Sequence, residues 1–176
     1  MIRYIVRGWH SISGALGVIA SVLVMGLVIG MVADVAFRVI NRTSVPGMFE
    51  VVELALAAAV YLGSPVTQRE NGMIRVELLT SRLSGRVRKF VSVLSLSISL
   101  AVCALLATAA LQGLLGAIAT DEARIGLIAV STWPSRLAIA VGVIVLAGEV
   151  MISLVKAAQA RPDSLPPASE STNSAV

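Results

Sequence analysis

Long apolar runs alternate with short polar intervals along this chain. Residues 11–33 carry no charge, nor do residues 54–68 or 90–120, and residues 132–155 carry only Arg136 and Glu149. A bilayer core of about 30 Å needs roughly 20 apolar residues in helical form. The pattern therefore predicts four membrane-spanning helices, at about 11–38, 48–68, 87–116 and 132–156. The second uncharged run is short, so its span takes in Glu50 and Glu53 at the membrane–water boundary. Pro46-Gly47 supplies its entry turn, and Pro65 is a candidate kink. The third run exceeds one perpendicular crossing, so it tilts or ends near Gly113 and Gly116. Arg3 and Arg7 ahead of the first run imitate a signal peptide. That run is too long for one and no A-x-A site follows, so it reads as a retained helix. The fold class is an all-α integral membrane protein, with one four-helix domain over residues 1–160. The Pro/Ser-rich residues 161–176 read as a disordered cytoplasmic tail.

Composition narrows the class. Of 176 residues, 57% are hydrophobic and 14% charged, too little polar surface for a soluble globular domain. The formal charge of +4 does not point to nucleic acid, because no basic-aromatic surface lies outside the apolar segments. Its distribution points to topology. With the N-terminus inside, ten Lys and Arg fall on the inner side and four (Arg38, Arg42, Arg124, Arg136) on the outer. That imbalance places both termini in the cytoplasm, with the basic connector 69–89 inside. In a helix, Arg75, Arg82, Arg86 and Lys89 share one face while Val76, Leu79 and Leu83 share another. The connector is thus a short interfacial helix on membrane lipids, between the second and third spans, or a solvated loop that only sets topology.

Candidate chemistry is sparse. The enzyme motifs G-x-S-x-G, H-E-x-x-H and Walker A are missing. One Cys (Cys103) and one His (His10) supply no metal cluster. His10 is either a haem ligand of a redox membrane anchor or an interfacial side chain beside Trp9. Asp34 and Arg38, four apart, form a local ion pair. Glu53 opens a face continued by Ala57, Tyr61, Ser64 and Gln68, which is too polar for lipid and should meet another helix. Glu149 lies deepest. It snorkels toward the cytoplasm, pairs inside a helix interface, or serves as the proton or cation site of a stand-alone four-helix carrier. Small residues mark packing faces at Gly26 and Gly30, at Ala55, Ala59 and Gly63, and along Ser92, Ser95 and Ser99. Broken helices in matching halves, expected of a self-sufficient transporter, are not evident. An accessory subunit fits better.

The stretch "DVAFRVINRTSVPGMFEVVELALAAAVYLGSPVTQRENGMIRVELLTSRL" resembles the small, DctQ-type membrane subunit of the tripartite ATP-independent periplasmic (TRAP) transporters. The matching positions are Arg38 after the first helix, Glu53 in "VELA", Gly63, Arg69, "NGMIRVELL" and the entry Trp133-Pro134. The resemblance runs from about residue 12 to 155. Met73 stands where the family often has His, and Glu77 where it has Asp. The resemblance implies a helper of a large permease subunit, which carries the substrate and sodium sites, served by a periplasmic solute-binding protein that captures organic acids. The chain itself then needs no cofactor and binds no substrate. Candidate partner-interface or structural residues are Arg38, Glu53, Tyr61, Gly63, Ser64, Gln68, Arg69 and Glu149, with Arg75, Arg82, Arg86 and Lys89 at the membrane surface.

Overall fold

A computed structural model describes residues 2–43, 45–70, 85–120, 123–124 and 130–159. Four helices account for nearly all of them: α1 (Ile2–Asn41), α2 (Met48–Arg69), α3 (Gly85–Ala119) and α4 (Trp133–Gln159). Each is long and apolar enough to cross a membrane. A two-residue antiparallel ladder, β1 (Ala123–Arg124) with β2 (Val130–Ser131), joins α3 to α4.

Hydropathy located the spans but not the full helices. α1 starts at Ile2 rather than near residue 11, and its 40 residues extend roughly 60 Å at 1.5 Å per residue. An apolar run marks the part of a helix that lipid covers, while backbone hydrogen bonding carries on beyond it. α3 passes Gly113 and Gly116 and ends at Ala119. Its last turn is closed by Thr120, whose N–H and hydroxyl donate to the Gly116 carbonyl at 3.0 and 2.8 Å. At 35 residues α3 also exceeds the apolar layer.

The turn from α1 to α2 is tightly specified. Arg42, at φ 56°, reverses the chain after the last helical residue, and Gly47 does the same at φ 80° just before α2. The second reversal suits glycine, which has no Cβ to clash there. Asp34, buried on α1, accepts the Val45 N–H at 2.8 Å and so ties the loop to the C-terminal end of α1.

The packing order is α1–α2–α4–α3, with α1 also touching α4. The most apolar windows of α2 and α4 are 28% and 33% buried, and those of α1 and α3 only 6%. The two central helices thus make the core, and the two outer ones turn most of their apolar surface away from the chain. In water such exposure would be prohibitive, whereas facing lipid or a membrane partner carries no such penalty.

The core is closest where α2 meets α4. Pro65 lies inside α2 and has no N–H, so the Tyr61 carbonyl loses its usual helical donor. Gly142 of α4 approaches that carbonyl: a Cβ there would stand 2.6 Å from the Tyr61 carbonyl carbon and closer still to its oxygen. One Gly142 Cα hydrogen therefore points at the orphaned oxygen, the geometry of a weak C–H···O contact. Near the start of α4, the Ser135 hydroxyl donates to the Leu54 carbonyl at 2.8 Å, and Arg136 reaches the Gly113 carbonyl of α3 at 3.2 Å. The small-residue faces behave differently from one another. Ala59 and Gly63 pack toward α1, where a Cβ on Gly63 would meet Ala20 at 3.6 Å. Gly30 meets Met48, but Gly26 has open space, and Ser95 and Ser99 of α3 are exposed.

Candidate functional site

Polar side chains converge where the N-terminal part of α1, the last turn of α2 and the C-terminal half of α4 meet. Glu149 is the centre. Its side chain is 2% exposed, and it accepts hydrogen bonds from the Ser13 hydroxyl and, at 3.1 Å, from His10 Nδ1. An ionised carboxylate only accepts, so Nδ1 carries the hydrogen in that tautomer. Ser13 also lies 3.3 Å from the Trp9 carbonyl. Its single hydroxyl hydrogen serves one of these two acceptors at a time.

Two further contacts frame this clasp. Trp9 donates from Nε1 to the Val145 carbonyl at 3.3 Å, and its indole lies on Gly148. A Cβ at Gly148 would stand 2.6 Å from Nε1, so the glycine makes room for the ring. Arg69, the last residue of α2, donates from Nη1 to the His10 carbonyl at 2.9 Å. Its Nη2 reaches Glu70 at 3.3 Å. His10 therefore serves α4 with its ring and α2 with its backbone, and three helices are tied at one level.

Glu149 neither snorkels nor lies bare in the membrane. It is paired inside the α1–α4 contact, at the level of the end of α2. Burying a carboxylate in an apolar layer is expensive unless donors meet it, and Ser13 and His10 do so. His10 uses its ring to hold Glu149. Among the described residues, no group of three or more His, Cys, Asp or Glu side chains is placed to hold a metal.

The other expected residues are scattered. Arg38 lies at the opposite, C-terminal end of α1, where Nη2 donates to Asp34 at 2.9 Å. Glu53 is exposed near the N-terminal end of α2. Its face becomes more covered along the helix: Ala57, Tyr61 and Ser64 are half-buried and Gln68 is buried. Tyr61 meets α4 through its backbone, Gly63 faces α1, and Ser64 returns its hydroxyl to the Val60 carbonyl at 2.8 Å. Arg75, Arg82 and Met73 lie outside the described residues, as do the Arg86 side chain, most of the expected interfacial helix and the tail 161–176. Lys89 is half-buried in the first turns of α3. Trp9, Ser13, Gly142 and Gly148 were not singled out from the sequence as packing or pairing residues, because their partners lie 81 to 139 positions away.

Comparison with known proteins adds one finding. Neither the curated proteins nor the solved structures yield a match. Residues 27–160, from the middle of α1 to just past the end of α4, match the family described as "Tripartite ATP-independent periplasmic transporters, DctQ component". The matched region holds Arg38, Glu53, Gly63, Arg69, Trp133-Pro134 and Glu149, while Trp9, His10 and Ser13 precede it. It is a family of transporter components, not of enzymes, and its match extends over well over half of these 176 residues. The chain belongs to the DctQ component family of the TRAP transporters and is a small, multi-pass membrane subunit of that transporter type.

Proposed function

We propose that this chain steadies a large permease subunit during sodium-coupled uptake of an organic acid, which a periplasmic solute-binding protein delivers. It lies in the bacterial inner membrane with both termini in the cytoplasm. The substrate and sodium sites belong to the large subunit, and this chain supplies a fixed wall against which that subunit works.

The observation that carries this reading is the contrast between inside and outside. The most buried carboxylate among the described residues, Glu149, is taken up by Ser13 and His10 within the chain, whereas the apolar flanks of α1 and α3 are turned outward. A carrier would present such a carboxylate to a solute path; a supporting subunit uses it to hold its own helices. The ten-to-four distribution of Lys and Arg supports the orientation.

Uptake into proteoliposomes tests the reading. The large subunit and its binding protein, with a sodium gradient, should accumulate substrate only when this chain is present. Full uptake without the chain would overturn it. A stand-alone carrier using Glu149 makes the opposite prediction: the purified chain alone would transport, and Glu149→Gln would stop it.

A further inference from the structure

α1 and α2 pack closely here, with Val66 on Gly17 and Ala20 beside Gly63, and an open groove of about 680 Å³ lined by residues of these two helices runs along their seam. Gly17, Ala20 and Val24 line one wall, and Ala59, Gly63 and Val66 the other. Its hydroxyl groups are already satisfied. Ser21 donates to the Gly17 carbonyl at 2.9 Å, Ser64 to Val60 at 2.8 Å and Thr67 to Gly63 at 3.3 Å. The walls therefore ask for no polar partner and suit hydrocarbon.

One end of the groove is charged. The Arg69 guanidinium crosses from α2 onto α1, and a Cβ on Gly14 would lie 3.6 Å from its Nη1. Gly14 is one turn before Gly17, so the cation stands at the mouth of the groove. Arg7, two turns further along α1, is exposed on the same side of the membrane. Glu70 shares Arg69 Nη2 at 3.3 Å, but its side chain is 63% exposed, and an ion pair so open to solvent is easily exchanged. Length agrees with charge. From Gly17 to Val28 the groove follows α1 for roughly 16 Å at 1.5 Å per residue, close to half of the about 30 Å apolar layer. A transmembrane partner helix would be expected to continue across both leaflets. A groove one leaflet long, with a cation at its surface end, matches an amphiphile.

We propose that this groove seats the acyl chains of one anionic phospholipid, with its phosphate at Arg69. The lipid comes from the leaflet on the Arg69 side, which is the cytoplasmic leaflet in the orientation above.

Native mass spectrometry of the purified full chain, with phosphatidylglycerol or phosphatidylcholine added, tests this. The chain should retain phosphatidylglycerol about fivefold more than phosphatidylcholine, the effect of roughly one basic residue near an anionic headgroup. Arg69→Gln should bring the two lipids level, and Arg69→Lys should keep the preference. Ser21→Leu, which fills the groove from an exposed position without touching Arg69, should lower retention of both. Equal retention of the two lipids by the unaltered chain would overturn the proposal. So would unchanged retention in Arg69→Gln or Ser21→Leu chains whose helicity is intact. A photo-crosslinker at Val60 should label lipid in membranes. Labelling of the large subunit in its place would show that the groove seats protein, and would equally overturn it.

Discussion

Replacing Gly142 by alanine adds one methyl group at the closest approach of α2 and α4. That methyl would lie 2.6 Å from the Tyr61 carbonyl carbon and 3.1 Å from the Leu62 nitrogen, both backbone atoms that no rotamer change can move. Either the helices separate or α2 shifts. Overpacking of this kind costs about 1–3 kcal/mol, and loss of the C–H···O contact adds about 0.5–1 kcal/mol. Better helix propensity offsets at most about 1 kcal/mol. The net expectation is destabilisation by about 0.5–3 kcal/mol. Gly26→Ala is the matched control. A Cβ there meets nothing within 4 Å, so the same chemical change should be neutral or stabilise by up to about 1 kcal/mol. Unfolding of the full chain in mixed micelles of mild detergent and SDS, followed by helicity, measures both. Opposite signs are expected. A Gly142→Ala chain as stable as the unaltered one, or equal shifts for both variants, would refute the close approach at Tyr61.

The clasp makes a second prediction. A double-mutant cycle on His10→Ala and Glu149→Gln should give a coupling of about 1 kcal/mol in the same unfolding assay, within the range of interhelical hydrogen bonds in membrane proteins; strict additivity would show that the pair is not formed. Arg42 adopts a left-handed backbone at φ 56°, so Arg42→Gly should raise stability by about 1 kcal/mol, seen as a higher Tm, and an unchanged or lower Tm would contradict that conformation. Glu53→Leu should weaken recovery of the large permease subunit in co-purification more than Glu170→Leu does, and equal recovery would remove Glu53 from the interface.

Span positions were readable from the sequence because lipid imposes a length on apolar runs; three runs met it, and the second did so once Glu50 and Glu53 were taken into the helix. Packing faces were much less readable. In a soluble helix the core face is apolar and the other polar, so the pattern names the buried side. Here lipid and core are both apolar, and Gly26 looks like Gly142 until the neighbours are placed. Gly26 and Gly30 form the recognisable G-x-x-x-G, yet Gly26 meets nothing, while Gly142 and Gly148 admit a backbone and an indole. The fate of Glu149 was hidden for a related reason. Its depth could be estimated, but its donors lie at the far end of the chain, and only the antiparallel meeting of α1 and α4 brings them together. Asp34 and Arg38 were readable because four residues make one helical turn. The second bond of Asp34, to the Val45 N–H, depended on the unusual turn between α1 and α2.

The central claim is that this chain acts as one part of a larger membrane complex. Solubilising the native membrane and isolating the tagged chain in mild detergent tests it most directly. The large permease subunit should co-elute in a one-to-one complex that transports when reconstituted with its binding protein. The chain eluting alone, while the large subunit by itself sustains full uptake, would contradict the claim.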